Sequence, residues 1–269
     1  MVSVASAIRD VLSTPDPRRK AMAARRVARD WRLGRLAYAF DVAMPDRPAR
    51  PDAPLLLPPN RMPNRRKAGS EANRIALLHA LAHIEFGAID LAFDMAGRFG
   101  AGMPRAFVDD WLGVGAEEAM HFALLDRRLR TLGSFYGAFP AHDGLWEAAE
   151  ATAHDIGARL AIVPMVLEAR GLDVSPATIE RLEKAGDFRS AAILSRIYID
   201  EIRHVGVGSK WFRAWCDSTQ RTPETAWQAL VRTYFRGAVK PPFNDSARES
   251  AGLPREFYAP LAPTDPITH

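Results

Sequence analysis

The sequence predicts an all-α protein built on a four-helix bundle, and three observations carry that prediction. Between residues 70 and 216, apolar residues recur at helical spacing and are interrupted only at glycine, proline and capping residues. No run alternates polar and apolar side chains over strand length, so a sheet has no candidate strands. Four glutamates sit at wide intervals among apolar neighbours, and two of them are followed by a histidine three residues later.

Residues 4–42 place Val27, Trp31, Leu36 and Tyr38 at helical spacing, with Thr14-Pro15-Asp16-Pro17 as a break between a short and a longer helix. Residues 45–63 contain seven prolines, which remove backbone donors and favour an extended path. This stretch is expected to cross the surface as a strap, with Leu55, Leu56 and Leu57 buried beneath it. Ser70 caps the first bundle helix, which carries Glu85 and runs to about Arg98. After a break at 100–104, the second helix carries Glu118 and His121 to about Leu132. A connection rich in glycine and aromatics, 133–145, leads to a third helix over about 146–170 that carries Glu168 and stops at Gly171. Pro164 lies inside it and must disturb one backbone bond, which could re-aim Glu168. Ser175-Pro176 opens a short helix to Ala185, and Asp187 caps a fourth long helix that carries Glu201 and His204 to about Cys216. One more helix is expected over 222–236, with an irregular tail from Lys240. Three regions follow: a preface and strap (1–69), the bundle (70–216), and a C-terminal helix with its tail (217–269).

The chain has 269 residues, 48% hydrophobic and 25% charged, enough for a sizeable core. Its single cysteine, Cys216, excludes an internal disulfide and any four-thiolate metal site, and suits a reducing compartment such as the cytoplasm. The first residues lack the pattern of a signal peptide, and no window reaches the roughly 20 apolar residues that cross a bilayer. The net charge of +4 is uneven. Residues 1–67 hold 15 basic against 6 acidic side chains, while the remainder carries an acidic excess. The basic segment is expected to dock on that acidic body or to be solvated; contact with nucleic acid is the sharper alternative.

The chemistry lies in the spacing. In Glu118-Ala119-Met120-His121 and Glu201-Ile202-Arg203-His204, the histidine stands one turn beyond the glutamate on the same helix face, so each pair offers a carboxylate and an imidazole to one ion. Two such pairs are mildly unusual for 13 Glu and 7 His. Glu85 precedes Glu118 by 33 residues, and Glu168 precedes Glu201 by the same 33. The chain therefore contains one helix-loop-helix half-site twice, in the arrangement that dinuclear carboxylate bundles use. Leu78, Leu81, Ala88, Ile89 and Ala92 flank Glu85, and Ala161, Pro164, Met165 and Leu172 flank Glu168. A carboxylate on such a face is costly without a compensating cation. Four carboxylates and two imidazoles without thiolate suit iron or manganese better than structural zinc. Tyr198, one turn before Glu201, is a candidate hydrogen-bond donor or redox-active phenol at the pocket. Asp90, Glu117, Asp155 and Asp200 are candidates to orient the ligand imidazoles. His79, His83, His142 and His154 lack the pairing, and His83 is expected to make local hydrogen bonds.

The stretches ALLHALAHIEFGAIDLAFD (76–94), FPAHDGLWEAAEATAHDIGARLAIVPMVLEARGLDVSP (139–176), DEIRHVGVGSKWF (200–212) and PPFNDSARESAGLP (241–254) resemble an uncharacterised ferritin-like family, a domain of unknown function within the ferritin-like superfamily. The resemblance implies a ferritin-like bundle in which Glu85 and Glu168 are terminal ligands, Glu118 and Glu201 bridge two metals, and His121 and His204 each bind one. It implies iron first, with manganese or a mixed pair as alternatives, and an oxidoreductase that uses O2 or peroxide on a small organic substrate. A rubredoxin-type cysteine module is absent, so electrons would come from a separate donor or from the substrate. The alternatives are a non-catalytic, iron-handling protein and an RNA-modifying hydroxylase. The expected assembly is a monomer or dimer without membrane contact.

Overall fold

A computed structural model describes residues 1–61 and 70–263, and the described residues are all-helical. The end of the proline strap, with Pro63, lies outside them, as do Arg65, Arg66 and Lys67 of the basic segment and residues 264–269 of the tail. Among the described residues the only extended pairing is two isolated bridges, Ser3 with Ala37 and Leu56 with Ala141. The chain divides into two compact units, Met1–Glu150 with Glu180–Ile193, and Ala151–Ile179 with Leu194 onward.

In the first unit, α1 (Val4–Leu12) and α2 (Pro17–Arg32) are separated as the Thr14-to-Pro17 break predicts, because Asp16 caps α2 with Pro17 at its first position. The helix ends at Arg32, so Leu36 and Tyr38 lie beyond it in irregular chain. α3 (Glu71–Phe99) starts at Ser70, whose hydroxyl accepts from Asn73 N, and a single 3-10 turn joins it to α4 (Arg105–Thr131). α3 and α4 pack along their length, with α2 against α4 and α1 against α3. Phe86, Phe93, Phe107, Trp111 and Phe122 are fully buried in this core, each contributing roughly 1.5–3 kcal/mol. α3 corrects one expectation: by length and composition it could cross a membrane, but 72% of its apolar window is buried inside the protein, as in a core helix.

The strap also differs from expectation. Leu55 is 66% exposed and Leu56 37%. Its main chain holds it instead, through Leu57 N to Ala141 O at 2.8 Å and Ala141 N to Leu55 O at 3.0 Å. Basic side chains do dock on acidic groups of this unit. Lys20 bonds Asp90, Arg18 bonds Asp126, and Arg47 and Arg50 both reach Asp143.

In the second unit, the expected stop at Gly171 and restart at Pro176 do not occur. After α5 (Gly144–Ala151), which closes the first unit, α6 (Ile156–Ile162) passes through one π turn, Val163–Glu168, into α7 (Ala169–Lys184), which runs through both residues. Pro164 cannot donate to the ladder, and Ala169 N reaches back five residues to Pro164 O, which opens the turn. Trp227 Nε1 donates to Ala161 O at 3.2 Å. Pro176 is tolerated for a similar reason: the Leu172 carbonyl that it leaves without a helical donor accepts from Asn244 Nδ2 at 3.2 Å. The end of α7, and the start of the next helix, belong to the first unit: α7 stops at Gly186, whose φ of 74° is the left-handed stop. Asp187 caps α8 (Phe188–Ser218), as its position predicts, accepting from Ser190 N. α9 (Pro223–Tyr234) follows, and the tail contains two short helices where none was expected, α10 (Asp245–Ser250) capped by Asn244 and α11 (Arg255–Tyr258).

Candidate metal centre

Each unit contains one predicted half-site. In the first, α3 delivers Glu85, and α4 delivers Glu118 with His121 one turn further along. His121 Nδ1 lies 3.2 Å from Glu85 Oε2 and 3.4 Å from Glu118 Oε2. All three side chains are buried, at 4%, 1% and 0% exposure for Glu85, Glu118 and His121, so none is a solvated surface group. Metal–ligand bonds of roughly 2.0–2.2 Å at right angles hold adjacent donors about 3 Å apart, which these distances approach.

The electrostatics point the same way. Burial, and then the Glu118 charge, push the Glu85 carboxyl well above the usual carboxylate range. Burial works against charge on His121, but hydrogen bonds and charges from Glu118 and Glu85 outweigh it and carry the imidazole up to about 11.

In the second unit, α8 delivers Glu201 and His204, with His204 Nδ1 3.5 Å from Glu201 Oε1. The same ring nitrogen faces the carboxylate in both halves. His204 is fully buried, while Glu168 and Glu201 are half-buried. The helix pair that holds them is antiparallel. Gly157 lies under the Trp215 indole, and Gly208 under the Pro164 ring. Seven residues forward along one helix match seven residues back along the other, and four more of each lead from Pro164 to Glu168 and from Gly208 to His204. The register pairs Pro164 with Gly208, and the π turn that ends on Glu168 begins beside that pair. By donor type, Glu118 with His121 in the first unit, and Glu201 with His204 in the second, are residues that could ligate a metal ion.

The packing of Pro164 on Gly208 gives a test of this register. A methyl group at Gly208 would overlap the Pro164 ring, whereas one at Gly206 meets nothing closer than 3.9 Å. Gly208→Ala is expected to cost about 1–3 kcal/mol through overpacking. Gly206→Ala, two residues away on the same helix, is expected to gain up to about 1 kcal/mol of helix propensity. Urea unfolding of the two metal-free variants measures both; equal effects would refute the register.

The other candidate residues make contacts of their own. Asp155 caps α6, accepting from Gly157 N at 2.7 Å and Ala158 N at 3.2 Å, and Asp90 bonds Lys20, so these carboxylates serve a helix start and an ion pair. Asp200 accepts from Arg196. Tyr198 is half-buried and its phenol oxygen accepts from Asn244 Nδ2 at 2.9 Å. His83 is expected to make local bonds, but its partners, Tyr136 OH and His142 O, are 53 and 59 residues away in the chain, and burial followed by the Arg50 charge lowers it to about 4. Burial pushes the Cys216 thiol up to about 11, which keeps it an inert core group.

Sequence reasoning missed the residues that hold α7 just beyond Glu168. Arg248 grips Asp173 through two bonds of 2.8 and 2.7 Å, both groups buried, and Asn244 N donates to the same carboxylate. A signal was present in the chain: Asp173 follows Leu172 and Arg248 follows Ala247, each a charge beside a core residue.

A family model described as "Protein of unknown function (DUF455)" matches residues 13–259. An uncharacterized protein of Haemophilus influenzae is 45% identical over 211 residues, which span 76% of this chain and 73% of that protein. No solved structure matches. The extent of the family match and the identity to this relative lead to one conclusion: the chain belongs to the DUF455 family.

Proposed function

We propose that this protein is a dinuclear metal carboxylate protein of the ferritin-like type. It would bind two ions, iron first, through Glu85, Glu118, His121, Glu168, Glu201 and His204, and act as an O2- or peroxide-dependent oxidoreductase on an organic substrate. The observation that carries the reading is the duplication: each half sets a histidine Nδ1 against the carboxylate one turn before it, in a buried position. Charge balance agrees, because four carboxylates and two neutral imidazoles neutralise two divalent ions. Redox-active ions bound there would supply electrons to O2 or peroxide. The chain itself would orient the donors and exclude water around them. Glu118 with His121, and Glu201 with His204, would hold the ions through the two Glu-x-x-His pairs.

His121 must release its proton for Nδ1 to bind a cation. Between pH 6 and 8, affinity for Fe(II) or Mn(II) is therefore expected to rise roughly tenfold per pH unit for each proton released. Anaerobic titration with metal analysis measures this. Two ions per chain, followed by stoichiometric O2 uptake on aeration by a monomer or dimer, is the expected result. Affinity independent of pH, or no metal retained after desalting, would overturn the reading; a large hollow oligomer would move it to iron handling.

A further inference from the structure

The first unit separates the basic N-terminal segment into two populations. Lys20, Arg47 and Arg50 turn toward acidic partners, whereas the outward face of α2 carries Arg18, Arg19, Arg25, Arg26, Arg29 and Arg32, all exposed. Asp30 is the helix's only acidic residue, and it lies within 3.9 Å of Arg29 and 3.0 Å of Arg35. Arg18 is shared with Asp126 and still 61% exposed. Among the described residues, Arg19, Arg25, Arg26 and Arg32 have no ion-pair partner. The flank continues the field. α4 runs antiparallel to α2, as Arg18–Asp126 and Trp31–Asp109 show, and brings exposed Arg105 to one end and Arg127 and Arg130 to the other. Asp109 and Asp110 are the acidic groups at the Arg105 end.

Guanidinium is the cation suited to phosphate, because it donates two parallel hydrogen bonds to its oxygens. Arg18 and Arg19, Arg25 and Arg26, and Arg32 recur every seven residues, a step of about 10.5 Å along the axis. That step is close to the roughly 12 Å width of a duplex major groove, so successive arginines can meet phosphates of opposite strands. A single strand would call for stacking platforms, but Trp31 is buried at 2% exposure and covered by the Arg105 guanidinium, 3.8 Å from its ring. A membrane surface would call for an insertable apolar face. The apolar face of α2 is already used against the protein, which leaves only Met22 at its centre, 72% exposed.

The geometry points to α2 as a docking surface for the phosphate backbone of a nucleic-acid duplex. The surface is separate from the ligand residues, none of which lies on α2.

Fluorescence anisotropy with a labelled 20-base-pair duplex, as DNA and as RNA, tests it across a salt series. The full chain is expected to bind at least one of them, with an affinity that falls steeply as salt rises. Arg25→Glu/Arg26→Glu/Arg32→Glu is expected to weaken binding about tenfold or more and to flatten the log–log salt slope by about 3, near 0.9 for each arginine withdrawn from a phosphate. Arg232→Glu/Arg236→Glu/Lys240→Glu makes the same change in net charge on exposed sites elsewhere and is expected to weaken binding far less. Far-ultraviolet circular dichroism verifies that each variant folds. No duplex binding at low salt, equal weakening in the two variants, or tighter α2-dependent binding to phosphatidylserine vesicles than to either duplex would each overturn the assignment.

Discussion

A chain carrying Glu118→Ala is expected to hold at most one Fe(II) after anaerobic titration and desalting, where the unaltered chain is expected to hold two. Glu118 Oε2 stands 3.4 Å from His121 Nδ1, with Glu85 Oε2 3.2 Å from the same atom, so the substitution removes one of three donors that this half-site presents together. Loss of a ligand carboxylate also removes a negative charge from a pocket without solvent to replace it. Unfolding would produce the same readout, and the electrostatics separate the two. Glu118 is the second cause, after burial, of the raised Glu85 carboxyl, so the metal-free variant sheds a repulsion along with the His121 hydrogen bond. These opposing changes are each of order 1–3 kcal/mol, and the metal-free variant is expected to match its parent within about 1 kcal/mol in urea. Normal stability with two ions retained would refute the ligand assignment. The corresponding change at Glu201 is expected to have the same effect.

The candidate ligand set was legible because metal chemistry asks for residue type and helical spacing together. Glu85, with Glu118 and His121 on the next helix, and its copy 83 residues later are properties of the chain before it folds. Helix starts at Ser70 and Asp187 were legible for the same local reason, a side-chain acceptor next to orphan backbone donors. What could not be read was settled at long range. Gly171 and Pro176 are stop signals by local rules, but Asn244, about 70 residues away, supplies the hydrogen bond that Pro176 forfeits, and α7 continues. Leu55 and Leu56 have core-type side chains, yet hydrogen bonds between main chains fix the strap with both exposed. Pro164 did mark a disturbance next to Glu168, but only the structure shows that it takes the form of a π turn ending on that residue.

Lys20 is a different kind of miss, and it sets the second large effect. It shares a helix stripe with Ala24, Val27 and Trp31, all buried, so its register placed it inside while its charge suggested the surface. Neither Lys20 nor Asp90 has any exposed side-chain surface; the ammonium bonds Asp90 Oδ1 at 2.5 Å and Ala49 O at 2.9 Å. A buried pair adds little over well-packed apolar groups, but half of one leaves an uncompensated charge. Asp90→Ala is therefore expected to cost about 3–5 kcal/mol in urea unfolding. Lys20→Met/Asp90→Val is expected to recover all but about 1–3 kcal/mol, a deficit that remains because the Ala49 carbonyl loses its donor. Burial already lowers the Lys20 pKa from 10.5 and Asp90 opposes it, so removal of Asp90 must lower it further. A lysine depressed in the fold gives stability that is present above its unfolded pKa and lost as pH falls through the folded one. Asp90→Ala should thus gain stability relative to its parent as pH rises toward 10.5. A single variant with a cost below about 1 kcal/mol, or one whose deficit does not shrink with rising pH, would show that the ammonium reaches water and that α2 is not held to α3 by charge.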